Sequence, residues 1–412
     1  MFSRNMEEKI NRHLSNFPVV VLVGARQSGK TTLARKSRET WHYFDLERGR
    51  DYDFITGDFD FFFRQHQERV VIDEAQLSPQ LFKELRGVVD ENRSCKGRFL
   101  LTGSSSPELA RHIAESLAGR VAIVEIGTLK MNERYREPLP SVYALLDRLP
   151  PEEHLPALRE ISASRSVADV LHHFLKGGYP EPAMEDREDF QADWMANYEQ
   201  TYVQRDVRRL FPSLNIENYR RFIAMLSELS GTIINRSEVG RTLGASESAI
   251  RDYLDIAQGT FIWRILTSFE RTASKSVVKM PRGYLRDSGL LHHLLHVRRL
   301  EQLYTRPGTG SAFEGFMIEE IIQGFRAVET ASWTFNFFRT RGGAEVDLVL
   351  TSPDRMTIPV EIKFGEAVRR SDLRSLSAFI AQEECPYGIV INNSAEVCML
   401  TDRIIQLPSG CF

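Results

Sequence analysis

The chain has 412 residues, of which 42% are hydrophobic and 26% charged, and its formal net charge is −3. This composition excludes a disordered or fibrous protein, and the length predicts two or three domains. The stretch MFSRNMEEKINRHL lacks the apolar segment of a secretory signal, and VVVLV at 19–23 is too short to cross a bilayer. The four cysteines show no CxxC or Cys/His spacing, so neither a zinc site nor a disulfide framework is indicated. We therefore expect a soluble, cytoplasmic protein without membrane association.

The charge is distributed unevenly along the chain. Residues 201–310 hold 17 Lys and Arg against 10 Asp and Glu, a local balance of +7. A basic region of this kind points weakly to nucleic acid. A solvated basic surface would have the same composition, so this alternative stays open.

Residues 1–130 alternate short apolar runs with segments of helix length. Near-continuous apolar runs of this kind predict a parallel sheet covered by helices on both faces. A stretch rich in Pro and charge between Met131 and about Pro156 predicts the end of this domain, and we place the domains at 1–150, 151–310 and 311–412. The predicted strands are VVVLVG (19–24), HYFDLE (42–47), VVIDEA (70–75), RFLLTG (98–103) and RVAIVEIG (120–127).

The segment GARQSGKT, residues 24–31, fits the phosphate-binding pattern G-x-x-x-x-G-K-[ST] between a buried strand and a helix start. Its glycines allow the backbone N–H groups to face the phosphates of ATP. Lys30 would contact the β and γ oxygens, and the Thr31 hydroxyl would ligate Mg²⁺. The helix N-terminus adds a partial positive charge. The predicted ATP-binding residues are Gly24, Ala25, Arg26, Gln27, Ser28, Gly29, Lys30, Thr31 and Thr32.

The strand VVIDEAQ, residues 70–76, ends in two adjacent carboxylates. Asp73 would hold Mg²⁺ through water, and Glu74 would orient or deprotonate the attacking water. An apolar–Asp–Glu string is common, but this one follows the phosphate-binding loop in a third strand. We therefore predict a catalytic Glu74 beside a metal-holding Asp73.

The strand LLTGSSS, residues 100–106, ends in hydroxyl groups. Ser104 is the first candidate to sense the γ-phosphate or the water, with Thr102 as the second. The alternative is a Ser-rich helix cap before Pro107.

The order of these motifs, together with SLAGR at 116–120, resembles the AAA+ superfamily. The resemblance implies that Arg120, directly before the fifth strand, reaches the nucleotide of a neighbouring subunit and neutralises transition-state charge. It then implies a homo-oligomer, such as a hexameric ring. The alternative is a structural ion pair of Arg120.

Residues 235–257, NRSEVGRTLGASESAIRDYLDIA, predict two helices separated by a turn at Gly244, the second capped by Ser246. Their buried contacts would come from Val239, Leu243, Ile250 and Leu254. The pattern matches a helix-turn-helix, and strand-like segments at 260–270 and 276–287 would supply a wing. The predicted DNA contacts are Ser246, Ser248, Arg251, Lys279 and Arg282; a protein-binding or structural winged helix is the alternative.

Near the C-terminus, AEVDLVLTSPDRMTIPVEIKF at 344–364 predicts a β-hairpin. Alternation places the apolar residues on a buried face and collects Asp347, Glu361 and Lys363 on the opposite face. The apolar residues are Val346, Leu348, Leu350, Val360, Ile362 and Phe364.

This hairpin resembles PD-(D/E)xK nucleases, in which an Asp and a Glu bind Mg²⁺ and a Lys helps to activate water. The resemblance implies that Asp347, Glu361 and Lys363 take these roles. A preceding helix usually adds a carboxylate, and we predict Glu320, with Glu314 and Glu319 as alternatives. A polar strand face with an E-x-K ion pair occurs in many other proteins, so loss of cleavage stays open.

The whole order of motifs resembles a family of bacterial and archaeal AAA+ ATPases. Further motifs are GGYPEP (177–182), RDV (205–207) and D-GL (287–290). The implied fold class is α/β: a P-loop AAA+ parallel-sheet domain, a helical and winged-helix middle, and a C-terminal restriction-endonuclease-like domain. The expected function is an ATP-dependent motor acting on DNA, with ATP and Mg²⁺. The alternative is an ATP-dependent switch whose C-terminal modules bind protein partners.

Overall fold

A computed structural model describes residues 2–104, 117–185, 187–202, 207–208, 211–270, 280–329 and 331–412, and only the backbone of Ser104 and Glu188. In this part of the chain no helix has both the length and the apolar character needed to cross a membrane.

The N-terminal part is a parallel five-stranded sheet, as predicted. Its elements are α1 (Glu7–Asn16), β1 (Val19–Gly24), α2 (Lys30–Ser37), β2 (His42–Asp45), α3 (Gly49–Gly57), α4 (Phe59–Gln65), β3 (Val70–Asp73), α5 (Pro79–Glu91), β4 (Phe99–Ser104) and β5 (Val121–Glu125). The strand order is β2-β3-β4-β1-β5. Val19 and Val21 pack in one apolar cluster and Val20 and Leu22 in another, since alternate side chains cover opposite faces. This order brings the carboxyl ends of β1, β3 and β4 together at one edge.

The next part of the chain is helical. It contains α6 (Met131–Arg134), α7 (Ser141–Arg148), α8 (Pro151–Arg159), α9 (Val167–Lys176), α10 (Pro180–Ala183), α11 (Glu188–Thr201) and α12 (Ile216–Glu228). A buried Tyr179 and Phe174 belong to a large apolar cluster that continues into the C-terminal half.

The predicted pair of helices at 235–257 is confirmed. The elements here are β6 (Thr232–Ile233), α13 (Arg236–Leu243), α14 (Glu247–Gly259), β7 (Trp263–Ser268) and β8 (Arg282–Leu285). Gly244 ends α13 in the left-handed region with φ of +64°, a conformation that glycine adopts at least cost. The Ser246 hydroxyl caps α14 by accepting from the Ala249 N–H at 3.2 Å. The four predicted contact residues, Val239, Leu243, Ile250 and Leu254, are all buried.

A nine-stranded sheet joins the two predicted C-terminal domains. After β8 the chain forms three helices, α15 (Ser288–Leu294), α16 (Leu300–Thr305) and α17 (Thr309–Val328). The elements that follow are β9 (Thr334–Arg339), β10 (Glu345–Thr351), β11 (Thr357–Ile362), α18 (Arg374–Gln382), β12 (Gly388–Asn392), β13 (Cys398–Thr401) and β14 (Ile404–Pro408). The strand order is β13-β14-β12-β11-β10-β9-β7-β8-β6, and β7 pairs in parallel with β9. The sheet therefore runs across residue 310.

The predicted hairpin is formed by β10 and β11, with Leu348 opposite Val360. Leu348, Leu350, Val360 and Ile362 share one apolar cluster, as alternation predicts. Val346 instead packs in the cluster under α18, because the pairing with β9 shifts between Val346 and Val349.

Candidate functional site

The phosphate-binding loop connects β1 to α2 at the edge where three strands end. Gly24 lies where a side chain cannot fit, since a Cβ there would be 2.1 Å from the Ile126 carbonyl oxygen. Gly29 has φ of +93° and caps α2. The Ser28 hydroxyl is buried and has no hydrogen-bond partner within the described residues. Such a loop leaves backbone and hydroxyl groups to an incoming ligand.

The Lys30 ammonium lies inside this loop. Its Nζ donates to the carbonyl oxygens of Gly24 at 3.0 Å and Ala25 at 2.7 Å. Burial lowers the pKa of Lys30 to about 8, against the opposing effect of Glu74 and Asp73. A phosphate would give the ammonium a stronger partner than these neutral carbonyls.

Asp73 accepts hydrogen bonds from three hydroxyl groups. Thr31 Oγ1 donates to Oδ1 at 3.1 Å and Tyr43 to Oδ2 at 2.7 Å, while Thr102 also donates to Oδ1. The predicted proximity of Thr31 and Asp73 is therefore observed. Tyr43, on β2, was not predicted, because its place depends on the pairing of β2 with β3.

Glu74 follows Asp73 in the left-handed region, with φ of +55°. Its N–H donates to Thr102 Oγ1 at 3.3 Å, and its carboxylate accepts from Gln76 Nε2. Burial raises the pKa of Glu74. A non-glycine residue in this conformation is uncommon, and such residues cluster at functional sites.

Of the two hydroxyl candidates on β4, Thr102 is buried and contacts both Asp73 and Glu74. The side chain of Ser104, the first choice from the sequence, lies outside the described residues. Ser105, Ser106 and Pro107 lie outside them as well.

Arg120 lies before β5, and its guanidinium pairs with the Asp90 carboxylate of α5. Nε donates to Oδ1 at 2.7 Å and Nη2 to Oδ2 at 2.8 Å. This is the alternative that the sequence left open for Arg120. The bidentate pair orients the Arg120 side chain. Ion pairs near solvent contribute little free energy, so Arg120 can exchange Asp90 for another partner.

Arg4 contacts the loop in a way that no sequence signal indicated. Its guanidinium donates to the carbonyl oxygens of Ser28 and Gly127, each at 2.7 Å, and to Glu133 at 3.1 Å. Arg4 is 24 positions from Ser28 and 129 positions from Glu133 in the sequence, so these contacts arise only from the tertiary fold.

These residues fit ATP and Mg²⁺. The buried Ser28 hydroxyl, the Lys30 ammonium and the backbone of the loop suit phosphate oxygens, while the Thr31 hydroxyl and the Asp73 carboxylate are hard oxygen ligands of the kind that Mg²⁺ prefers.

The polar face of the hairpin holds the predicted Asp347, Glu361 and Lys363, and Arg282 joins them. Asp347 Oδ2 accepts from the Ile362 N–H at 2.8 Å, and Glu361 pairs with Lys363 at 2.5 Å. Burial and the neighbouring Asp347 raise the pKa of Glu361 to about 8. Beside them lies Arg282, whose predicted DNA contact is wrong: it is only 9% exposed and pairs with carboxylates.

The predicted helix carboxylate is also wrong. Glu320 points away from the hairpin and pairs with Lys130 at 2.7 Å, and His173 lies 3.6 Å from it. Although burial opposes ionisation, Lys130 holds the pKa of Glu320 at about 2. The carboxylate that reaches the hairpin is Glu314, one of the two alternatives, because it lies near the start of α17 and faces β8.

The predicted nuclease-like metal site does not fit Mg²⁺ in this arrangement. The Arg282 guanidinium already contacts the carboxylates of Glu314 and Asp347. Within the described ranges, no group of three or more His, Cys, Asp or Glu side chains is arranged to hold a metal ion.

The remaining predicted DNA contacts lie at the start of α14. Ser246, Ser248 and Arg251 are exposed, and the two hydroxyl groups are 2.9 Å apart. Lys279 and the nearby Lys275 lie outside the described residues.

Profiles of three protein families match successive parts of the chain. The first is described as an AAA domain and matches residues 16–135. The others are described as domains of unknown function (DUF8612 and DUF4143) and match residues 167–301 and 309–412.

Matches among solved structures include the Walker-type ATPase PABY2304 of Pyrococcus abyssi. It is 17% identical, with a TM-score of 0.39, and the match covers 72% of this chain and 96% of that one. The RuvB Holliday junction branch migration motor of Thermotoga maritima is 15% identical, with a TM-score of 0.30, over 66% of this chain and 91% of that one.

Two curated relatives match nearly the whole chain: the uncharacterised proteins Rv2008c of Mycobacterium tuberculosis and Mb2031c of Mycobacterium bovis. Each is 30% identical over 409 residues, which cover 98% of this chain and 83% of the relative. The chain therefore belongs to the same family as these mycobacterial proteins, and its N-terminal part is an AAA domain, a P-loop ATPase module that binds nucleotide.

Proposed function

We propose that the protein is an ATP-hydrolysing AAA+ motor that remodels DNA or moves along it. The observation that carries the ATPase part is the convergence of Lys30, Thr31, Asp73 and Glu74 at one edge of the parallel sheet. Phosphoryl transfer depends mainly on positioning and on charge stabilisation, and these residues supply both.

Each residue has a separate role in this proposal. Lys30 leaves the loop carbonyls for the β and γ oxygens of ATP. Thr31 and Asp73 hold Mg²⁺, which neutralises charge on the phosphates when bound. Glu74, one residue beyond the strand end and partly buried, orients the attacking water or accepts its proton.

The DNA part rests on the middle of the chain. Helices α12, α13 and α14 with the strands β6, β7 and β8 have the element order of a winged helix, and the start of α14 presents exposed hydroxyl groups and Arg251. A recognition helix uses such N-terminal residues in the major groove. The local balance of +7 over residues 201–310 favours phosphate contacts.

Arg120 acts in trans in this proposal. In a homo-oligomeric ring its guanidinium leaves Asp90 and contacts the γ-phosphate bound by the neighbouring subunit. The position of the pair supports such an exchange, since Asp90 is exposed, the Arg120 side chain is 15% exposed, and ion pairs in contact with water contribute little free energy. The C-terminal part, with its mixed sheet and α17, has a nuclease-like fold in this proposal and grips DNA.

A second candidate is an ATP-dependent switch whose C-terminal modules bind protein partners. The burial of Arg282 favours it, because one predicted DNA contact is thereby lost from the wing. Both candidates use the same ATP site and differ in what the C-terminal half recognises.

Measurement of ATP turnover with and without DNA distinguishes the two. We expect single-stranded, duplex or branched DNA to raise the rate of phosphate release by wild-type protein in Mg²⁺, and not by Lys30→Ala. Turnover that responds to none of the three DNAs would support the protein-directed switch and contradict the motor.

A further inference from the structure

The polar face of the hairpin gathers more carboxyl groups than cationic side chains. Four carboxyl groups, those of Glu314, Glu345, Asp347 and Glu361, meet three cationic side chains, Arg282, Arg339 and Lys363. They come from β8, β9, α17, β10, β11 and the residue after β11, so the whole cluster is defined by the fold. A buried carboxyl group either takes up a proton or needs a compensating charge, which a metal ion or a basic side chain provides.

Arg282 provides this charge from the neighbouring three-stranded part of the sheet. Its Nη1 is 2.8 Å from Glu314 Oε1 and 3.8 Å from Asp347 Oδ1, and its Nη2 pairs with Glu345. The Tyr284 hydroxyl, two residues further on, donates to the same Glu314 oxygen at 2.6 Å. One guanidinium thus bridges carboxylates of α17 and β10.

The choice of arginine matters for this position. A guanidinium is planar, offers five N–H donors and keeps its charge at any physiological pH. It can therefore satisfy several carboxylates at once, as a divalent ion does. A cation bound by the same oxygens would lie against the guanidinium, where like-charge repulsion disfavours it.

We propose that Arg282 takes the place of the divalent cation in this nuclease-like domain, which is therefore metal-free, does not cleave DNA, and is held by Arg282 against the three-stranded part that precedes it. The cluster is then an ionic joint between β8, β10 and α17. This inference concerns the C-terminal half alone and does not depend on ATP hydrolysis.

Removal of the arginine should expose the latent cation site. Glu361 Oε2 is buried and has no hydrogen-bond partner among the residues that the structure describes, while Lys363 holds the other oxygen. Without Arg282, four carboxyl groups face the Arg339 guanidinium and the Lys363 ammonium. A divalent cation balances this excess and reaches a carboxylate oxygen that has no hydrogen-bond partner within the described ranges.

Titration of nucleotide-free, full-length protein with Mn²⁺, followed by electron paramagnetic resonance, tests the proposal. We expect no Mn²⁺ bound by the wild type, about one ion per chain bound by Arg282→Ala, and none bound by the double variant Arg282→Ala/Asp347→Asn. Mn²⁺ should raise the Tm of Arg282→Ala and leave that of the wild type unchanged. Arg341→Ala, an exposed arginine just before β10, is the matched control and should behave as wild type.

Two outcomes would overturn the proposal: Mn²⁺ bound by the wild type and lost in Asp347→Asn, or a folded Arg282→Ala that binds no Mn²⁺. If Arg282→Ala does not fold, comparison of Mn²⁺ binding by the wild type and by Asp347→Asn still tests the proposal. Equal Mn²⁺ binding by these two proteins supports the proposal, and a loss in Asp347→Asn contradicts it. DNA and ATP are absent, so failure here is distinct from failure of the motor.

Discussion

The roles proposed for Lys30 and Glu74 differ, so substitutions of the two residues should have different effects. Lys30 lies within the predicted phosphate-binding loop, whereas Glu74 lies beyond the end of β3. The charged loop binds the ground state, while an oriented water is needed only for hydrolysis.

We predict that Lys30→Ala loses ATP binding, and that Glu74→Gln binds ATP and stalls. A loss of about 10²–10⁴-fold in turnover is the usual effect of removing a general base. Equilibrium binding of a fluorescent ATP analogue and single-turnover hydrolysis measure the two steps. Wild-type turnover in Glu74→Gln would show that another group orients the water.

The lowered pKa of Lys30 predicts a pH dependence of ATP binding. In the nucleotide-free protein the ammonium loses its proton as the pH rises through about 8. Bound phosphate stabilises the charged form, so binding requires proton uptake above that pH. The ATP affinity should then fall about tenfold between about pH 7 and about pH 9.

Lys30→Arg is the control for this titration, because its charge is fixed over the same range. Its ATP affinity, whatever its absolute value, should not change between these pH values. An equal fall in both proteins would assign the pH dependence to a group other than Lys30.

Single residues also show where sequence reasoning reached its limit. The phosphate loop and the Asp73–Glu74 pair were predictable, because their chemistry needs adjacent residues at fixed spacing. The carboxylate on α17 was not, because this helix is buried almost all round and three of its glutamates are inside. Their partners, Lys130, Arg264 and Arg282, come from distant parts of the chain.

Among the elements, α14 carries the exposed residues on which DNA recognition would depend. Its buried face, with Ile250 and Leu254, fixes its position against α13. The opposite surface at its start is free to enter a groove.

We predict that Arg251→Ala weakens DNA binding and lowers the slope of log affinity against log salt by about one, the effect of one lost phosphate contact. Arg50→Ala, an exposed arginine on α3, should change neither quantity. Fluorescence anisotropy with labelled duplex at several salt concentrations measures both. Equal effects of the two substitutions would place the DNA surface elsewhere.

Secondary-structure elements were predicted from the sequence better than single-residue contacts or long-range packing. All five strands of the first sheet, the helix pair around Gly244 and the hairpin were found from periodicity and turn residues, which act locally. The pairing of β7 with β9 was not found, because two strands about seventy residues apart leave no local pattern that marks them as neighbours. The burial of Arg282 on β8 follows from that pairing.

In the molecule as a whole, buried charges connect the AAA domain to the C-terminal half. Glu125 at the end of β5 pairs with Arg264, Arg286 and Arg326, and Glu319 pairs with two of these arginines. Removal of one partner from such a network leaves an uncompensated charge, which costs about 3–5 kcal/mol. Ion pairs therefore join the two halves at the end of β5, the strand that follows Arg120.

The proposed oligomer gives a prediction for mixtures of subunits. Arg120→Ala should bind ATP but hydrolyse it poorly, since a finger of this kind is worth about 10³–10⁵ in rate. Mixing with Lys30→Ala subunits should restore part of the activity, because each subunit supplies what the other lacks. Asp90→Ala, which releases Arg120 and removes the longer contacts of Asp90 to Arg86 and Arg93, is the control and should retain activity. Absence of rescue at every mixing ratio, with oligomers intact, would contradict a finger that acts in trans.

The most direct test of an ATP-driven motor on DNA is the DNA affinity of Glu74→Gln with ATP and Mg²⁺, compared with its affinity in ADP. A motor must grip DNA differently in the two nucleotide states, and couplings between sites typically amount to about 5–150-fold. We predict a difference in this range for branched DNA by fluorescence anisotropy, and none for Lys30→Ala. The same DNA affinity in ATP and ADP, or no DNA binding in either, would contradict a DNA motor.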